Sequence, residues 1–467
     1  MAEFFKFRQS VKGYLQIPPS DEFQTTDVIG GFDYNVDNNK WKMTDIPAFV
    51  EEPYIYCADN YITQINHELL SIQIPRQMVY NYTTSWLEIL DKLLKSPFHG
   101  KLLSSSSGFL NVEYNKVKDI QDNVERMKAC YSEMQNAMSW NQIYSIYSSN
   151  MKDAHKETKG SSADINFLLL RLLKDCNIES YPVILSTRDN GFVPMFPSFN
   201  KFNYMIVLAK INGQSYLLDA TEKYAAVNIL PTRCLNGKGL VVKEGTNIEW
   251  VDLTPKQTST IINATEAKLN NDGTISGKST YKRNGYAALE TRNKISSNTS
   301  ENKQEWILKK AKEDIDIINY KVTNRDSINL PLIENFDFKT ENNSGENANT
   351  ILFEPIFFEK MLENPFKSPE RLYPVEFPTP IDKTYIVNIS LPENITVDEK
   401  PKNISVNMPD NSAKFTYQVN LISNTIQVTA KLNIKNTLYS QDQYPYLKEF
   451  YSQVISKLNE SILLQRK

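Results

Sequence analysis

The segment Lys159-Gly160-Ser161-Ser162-Ala163-Asp164 runs directly into an apolar stretch that reaches Cys176. In that stretch Ile165, Leu168, Leu169, Leu172 and Leu173 fall at i, i+3, i+4, i+7 and i+8, the spacing of a helix with one buried stripe. Ser161 or Ser162 suits the N-cap, and Asp164 complements the positive helix end. A helix is therefore predicted over 162–176, with Asn177 as a left-handed exit. Three extended segments follow, over 181–188, 203–211 and 214–220. The last two are separated by Asn212-Gly213, a strong hairpin signal. That hairpin brings Tyr204 and Asp219 together at its open end, far from the turn. A helix packed on antiparallel strands places this stretch in the α+β class.

Upstream, residues 1–80 read as β structure. Aromatic and β-branched residues are spread along them, and 61–74 alternates with burial on both faces. Trp86, Leu87, Ile89, Leu90, Leu93 and Leu94 keep helical spacing, and Ser96-Pro97 with Gly100 ends that helix. A longer helix is predicted over 117–138, with Val117, Ile120, Val124, Met127, Tyr131, Met134 and Met138 on one stripe. Downstream of Thr258 the pattern is β again. Strands over 258–268 and 274–283 flank Asn270-Asn271-Asp272-Gly273. A helix is expected over 286–314, exposed loops over 295–303 and 340–350, and strands over 349–358, 384–391, 395–397, 413–421 and 425–434. A final helix over 446–464 would carry Leu447, Phe450, Tyr451, Val454, Ile455, Leu458 and Ile462 on its packed side.

The 467 residues are 40% hydrophobic and 23% charged, with a net charge of −3, so no basic excess points to nucleic acid. No apolar run approaches the ~20 residues that span a bilayer, so no transmembrane segment is read. The opening Met1-Ala2-Glu3-Phe4-Phe5-Lys6-Phe7 lacks the basic-then-apolar order of a signal peptide. Cys57, Cys130, Cys176 and Cys234 are too scattered for a metal site and read as buried small hydrophobes. His67, His99 and His155 all precede Ser162, and His155 reads as a solvated loop residue. No phosphate loop, internal repeat, metal site or cofactor motif is present in this reading.

The segment 159–164, with Phe202-Asn203-Tyr204 and Leu218-Asp219-Ala220-Thr221 downstream, resembles the active-site region of the transglutaminase-like superfamily. That family reads Gly-x-Cys-x-Asp at its central helix, then a His at the start of a strand and an Asp on the next. By this resemblance Ser162 stands in the cysteine place, Tyr204 in the histidine place and Asp219 in the aspartate place. Cys–His–Asp catalysis needs a thiolate, a proton shuttle and an orienting carboxylate. A serine hydroxyl needs a base, and a phenol with a pKa of about 10 is a poor one.

Other motifs carry the same resemblance: Trp41 with Asp45-Ile46-Pro47-Ala48 and Glu52-Pro53-Tyr54, then Ser186 to Gly191, and Leu230 to Gly239. They are similar to bacterial envelope proteins in which a β-sandwich precedes a transglutaminase-like domain and a C-terminal β-domain. The resemblance implies the later part of an N-terminal β-sandwich over 1–80, with its first strands and signal peptide missing from this chain. It also implies a papain- or transglutaminase-like domain over 81–255, and a C-terminal β-sandwich-like domain with a terminal helix over 256–467. It implies a periplasmic or envelope location.

The function expected from this is a non-catalytic binding or assembly module for an envelope polypeptide or glycan. Ser161, Ser162, Asp164, Asn203, Tyr204 and Asp219 are its candidate binding residues. The alternative is a serine-centred acyl hydrolase or amidase using Ser162, with Asp164 or Asp219 as polar partner. A structural spacer, its groove filled by Phe196 and Phe199 of the 189–200 loop, is a third reading. The three differ in what meets the Ser162 hydroxyl: a base, a ligand groove, or the loop.

Overall fold

The computed structural model describes residues 5–12, 21–29, 32–42, 44, 48–73, 78–81, 85–104, 107–297, 315–341 and 349–467. The chain divides into two units, Met1–Thr254 and Pro255–Lys467.

In the first unit, β1 (Phe5–Lys12), β2 (Asp21–Ile29), β3 (Phe32–Lys40), β4 (Gln64–Gln73) and β5 (Val79–Asn81) build two small antiparallel sheets, ordered β1-β4-β5 and β2-β3. Helices α1 (Trp86–Lys95), α2 (Asn111–Val117) and α3 (Asn123–Ala137) follow. The helix expected over 117–138 thus starts later, at Asn123, with only Val117 belonging to the preceding α2, and the cause is local. The Asp122 carboxylate accepts the backbone N–H groups of Val124 and Glu125, so a new helix starts there. Strand β6 (Ser139–Trp140) lies parallel to β7 (Lys159–Gly160), with α4 (Met151–Glu157) between them in sequence.

Helix α5 (Ser162–Asp175) begins where predicted, and Ser161 is its N-cap. The Ser161 hydroxyl accepts the Asp164 N–H, and the Asp164 carboxylate accepts the Ser161 N–H in return. Its burial exceeds the predicted stripe, because Phe167, Leu170, Ala163 and Asn166 are buried too. A helix covered on all sides is central to its domain.

Strands β8 (Glu179–Leu185), β9 (Tyr204–Ile211), β10 (Gln214–Leu218), β11 (Lys238–Val241) and β12 (Trp250–Asp252) form an antiparallel sheet ordered β10-β9-β8-β11-β12. Asn212 (φ 52°) and Gly213 (φ 77°) make the β9–β10 turn, with the positive φ at both positions that a tight hairpin demands. Helix α5 packs against β8 and β9.

The second unit contains β13 (Ser259–Leu269), β14 (Ile275–Asn284), α6 (Gly285–Ser297), β15 (Ile315–Thr323), β16 (Leu332–Thr340), β17 (Thr350–Phe353), β18 (Val375–Glu376), β19 (Ile381–Ser390), β20 (Ile395–Glu399), β21 (Ile404–Asn407), β22 (Ala413–Ile422), β23 (Thr425–Ile434), β24 (Leu438–Tyr439), α7 (Tyr444–Leu458) and β25 (Ile462–Arg466). Eight strands form one sheet ordered β15-β16-β14-β13-β19-β23-β22-β21, antiparallel except for the β13–β19 pair. β17, β25 and β20 form a second sheet, and β18 pairs with β24.

Helix α6 starts at Gly285 (φ 57°), where a Cβ would lie 2.4 Å from the Thr258 carbonyl oxygen, so only glycine fits. Of the helix expected over 286–314, the part up to Ser297 is helical and 298–314 lies outside the described residues. The loop expected over 295–303 therefore begins in this helix, and residues 342–348 of the other one also lie outside. The last helix ends six residues earlier than predicted. The Asn459 side chain caps the Ile455 carbonyl and reaches the Met361 carbonyl, and Ile462 becomes the first residue of β25. Taken together the fold is mixed α+β, built mostly of β-sheet.

Candidate functional site

Ser162 is fully buried at the start of α5. Its hydroxyl donates to the Ser145 carbonyl (2.9 Å) and accepts from the Ser145 N–H (2.9 Å). Both functions of the hydroxyl are thus used by one backbone position, and among the described residues no imidazole or carboxylate bonds to it. Ser161 donates to the Asp164 carboxylate (2.7 Å), whose other oxygen accepts the Ser148 hydroxyl. Ser161 and Asp164 are thus joined as a helix cap, with Ser162 held separately by the Ser145 backbone.

Tyr204 and Asp219 do meet, as the hairpin geometry predicts. The Tyr204 hydroxyl lies 2.9 Å from Asp219 Oδ2 and 2.8 Å from the Thr221 hydroxyl. Asp219 Oδ1 accepts Asn166 Nδ2 (3.0 Å), the Thr221 N–H (3.2 Å) and the Thr221 hydroxyl (2.8 Å). Neither side chain is open to solvent. Asn203 lies apart from them: its amide donates to the Thr187 hydroxyl (2.7 Å) and accepts the Thr187 N–H (2.9 Å), which pins the strand to the loop behind it.

The organising residue is Arg233, which sequence reading left without a role. Its Nε and Nη2 donate to the Tyr204 hydroxyl (3.3 and 3.1 Å), and Nη2 also reaches Thr221 (2.7 Å). Nη1 pairs with Glu222 (2.8 Å), and Nη2 lies 3.5 Å from Asp219. The guanidinium sits 4.2 Å from the centre of the Trp140 ring, which stacks on Tyr144. Burial works against the Arg233 charge, and the carboxylates of Asp219 and Glu222 help to raise its pKa on balance. Burial, then Asp219, holds the Tyr204 phenol well above its ordinary value, so it stays protonated.

Asn166 ties this cluster to α5, donating to the carbonyls of Ser162 (3.1 Å) and Met205 (2.9 Å) as well as to Asp219, and accepting the Ala220 N–H (3.0 Å). From α3, Tyr131 donates to the Asp219 carbonyl (3.1 Å), and Gln135 to the carbonyls of Glu222 and Ala225. Two sequence signals could have found these residues. Asn166 is the polar residue within the apolar stretch 165–170, and Arg233 stands in the mostly apolar run Leu-Pro-Thr-Arg-Cys-Leu.

Cys234 is also closer to the site than its scattered position suggests. Its sulfur lies 3.8 Å from Asp219 Oδ2. It is fully buried, and burial followed by Asp219 pushes its thiol far up, so it is no thiolate nucleophile. The expected loop histidine, His155, is instead helical in α4, half-buried, with Nε2 3.1 Å from Glu113. Helix capping by Asn150 accounts for the difference.

His99 is fully buried, with Nδ1 2.7 Å from the Ile146 carbonyl and its ring edge-on to Phe167. Nδ1 therefore carries the proton and donates, while Nε2 has no hydrogen-bond partner among the described residues. Burial lowers its pKa from 6.5 to about 4. The native state thus binds fewer protons than the unfolded chain between those values, and stability present above pH 6.5 is lost as pH falls toward 4. The expected loss is about 3 kcal/mol. Urea midpoints at pH 7 and pH 4.5 should converge in His99→Gln. Equal pH slopes in both proteins would refute it.

In the 189–200 loop, Phe199 lies against Tyr147 (centroids 6.3 Å apart), and Phe192, Val193, Pro194 and Met195 line a cavity of about 470 Å3 with Trp86, Trp250, Asn236, Gly237 and Lys238. Trp86 and Trp250 meet edge to face at 5.0 Å. Asn236 ties this cavity to the 186–191 turn through the carbonyls of Ser186, Thr187 and Gly191. The stretch 233–238 therefore links the buried arginine to an accessible, mostly apolar wall.

Comparison with known proteins adds three findings. Residues 349–464 match the family described as a domain of unknown function with a solved structure, DUF3858. No curated protein matches the chain. The chain is similar in fold to the crystal structure of "a putative protease" from Parabacteroides distasonis, at 13% identity and a TM-score of 0.53, covering 98% of this chain and 70% of that one. At that identity the likeness concerns the fold alone.

Proposed function

We propose that the protein is a non-catalytic, transglutaminase-like envelope protein that serves as a binding or assembly module for a polypeptide or glycan. On this reading α5 and the β8–β12 sheet are a papain-like core whose catalytic positions have become a structural knot. The observation that carries the proposal is the Ser162 hydroxyl, saturated on both sides by the Ser145 backbone. General-base activation would need a base within about 3 Å of that oxygen. Tyr204 and Asp219, which stand in the positions of the family's histidine and aspartate, are instead committed to Arg233.

The protease-like neighbour supplies the contrast. Serine-type proteolysis would require a base in contact with the nucleophile, and here the Ser162 hydroxyl bonds only to the Ser145 backbone among the described residues, while Tyr204 and Asp219 bond to each other. Because all three side chains are buried, ligand contact falls to the surface around them. The cavity with Trp86 and Trp250 suits that task, since aromatic faces take sugar rings or apolar side chains while Asn236 and Lys238 offer polar contacts.

A fluorophosphonate probe is expected to leave both the protein and its Ser162→Ala variant unlabelled. Labelling of the parent that disappears in the variant would overturn the non-catalytic reading. In a screen of soluble oligosaccharides and peptides, ligands should lose about tenfold or more in affinity in Trp250→Ala. Ligands unaffected by that change would exclude this cavity as the site.

A further inference from the structure

Helix α3 and the end of α5 bring two cysteines together that lie 46 residues apart in sequence. The sulfurs of Cys130 and Cys176 are 3.7 Å apart, and both residues are buried, at 0% and 4% exposure. Closing this gap to a disulfide's ~2.05 Å needs about 1.7 Å of approach, within reach of small side-chain rotations on two packed helices. We propose that Cys130 and Cys176 are a disulfide-forming pair, oxidised when the protein meets a small-molecule disulfide. The inference stands apart from the proposed function.

The chemistry is two-step thiol–disulfide exchange. The Cys176 thiolate attacks one sulfur of the oxidant, forming a mixed disulfide and releasing the first reduced thiol. Cys130, deprotonated to the leaving thiolate, then attacks the Cys176 sulfur and releases the second. Two protein thiols become one disulfide, the oxidant becomes two thiols, and the two protons end on those thiols.

The environment favours this order. Cys130 donates its S–H toward Cys176, which favours the thiolate on Cys176, while that same bond and then burial keep Cys130 a thiol. Access comes from the helix end. Cys176 is the C-cap of α5, and the next residue, Asn177, is exposed with φ 57°. The remaining thiols are separate: Cys57 donates to the Asp189 carbonyl and Cys234 faces Asp219.

The bond would also act on the buried site. Cys130 shares α3 with Tyr131 and Gln135, which hold the carbonyls of Asp219, Glu222 and Ala225. A cross-link closing a loop of this length restricts the unfolded chain and stabilises the fold by that route.

The test treats the folded, full chain with oxidised glutathione, blocks free thiols with iodoacetamide after denaturation, and maps peptides by mass spectrometry. The expected result is a Cys130–Cys176 linked peptide, with Cys57 and Cys234 alkylated, and a melting temperature raised by several degrees over the reduced protein. Cys176→Ala and Cys130→Ala should each show no such shift on oxidation. Full alkylation of all four cysteines would overturn the proposal. So would a linked peptide that involves Cys57 or Cys234, or one that forms only in denaturant.

Discussion

Arg233→Ala is expected to destabilise the unit Met1–Thr254 by about 3–5 kcal/mol, the typical cost of removing one partner from a buried ion pair. The guanidinium is only 17% exposed, and Asp219 beneath it is 0% exposed. Removing it strips Glu222 of its 2.8 Å partner and leaves the Asp219 carboxylate with neutral donors only. It also removes two donors from the Tyr204 hydroxyl and the cation from the Trp140 face. Arg233→Lys should recover part of the loss, because an ammonium keeps the charge but not the planar fork that reaches four acceptors.

The measurement is urea unfolding followed by tryptophan fluorescence, which reports this site through Trp140. A cycle with Asp219→Ala should give a coupling of about 1–3 kcal/mol. A loss below about 1 kcal/mol for Arg233→Ala would mean that the cluster behaves as a surface salt bridge, which its burial does not allow.

Arg283→Met should be comparably damaging to the second unit, again by about 3–5 kcal/mol. Arg283 is 3% exposed, donates Nε to Glu334 (2.5 Å), and forks onto Glu359 with Nη2 (2.6 Å) and Nη1 (3.1 Å). Its guanidinium also lies 4.5 Å from the Tyr281 ring centre. The glutamate side chains are 1% and 5% exposed, so removal of the arginine takes a paired cation from two buried carboxylates. Tyr320 donates to Glu334, and Lys383 is 3.9 Å from Glu359, which is too little compensation.

Hydrogen exchange of β14 and β16, which carry Arg283 and Glu334, should report the loss locally. The triple change Arg283→Met, Glu334→Leu, Glu359→Met should be milder than Arg283→Met alone, since an apolar replacement leaves no uncompensated charge. A triple variant less stable than the single one would show that the ions hold the sheet by more than their mutual pairing.

The parts of the fold legible in the sequence were those encoded within a few positions. The start of α5 follows from Ser161, Asp164 and the leucine spacing, and the β9–β10 turn from Asn212-Gly213. The β13–β14 turn follows likewise from Asn270 to Gly273. Where a short-range signal was misjudged, another nearby residue had decided the matter. Asp122 delayed the start of the expected 117–138 helix, and Asn459 ended the last one. The strands Ile315–Thr323 and Leu332–Thr340, and the parallel pairing of β13 with β19, were not anticipated. The β13–β19 pairing joins residues more than a hundred positions apart, and periodicity does not specify which strand is a neighbour.

The candidate site divides in the same way. The amino-acid sequence alone determined that a helix begins at Ser162 and that Tyr204 and Asp219 share the open end of a hairpin. Only the tertiary structure decided that Arg233 is their common partner, that Asn166 reaches Asp219 across 53 residues, and that Tyr131 reaches the same residue across 88. Caps, turns and amphipathic stripes depend on neighbours along the chain, so local residues declare them. A buried charge network is selected by which side chains remain to satisfy one another once the core has excluded water, and that exists only after folding.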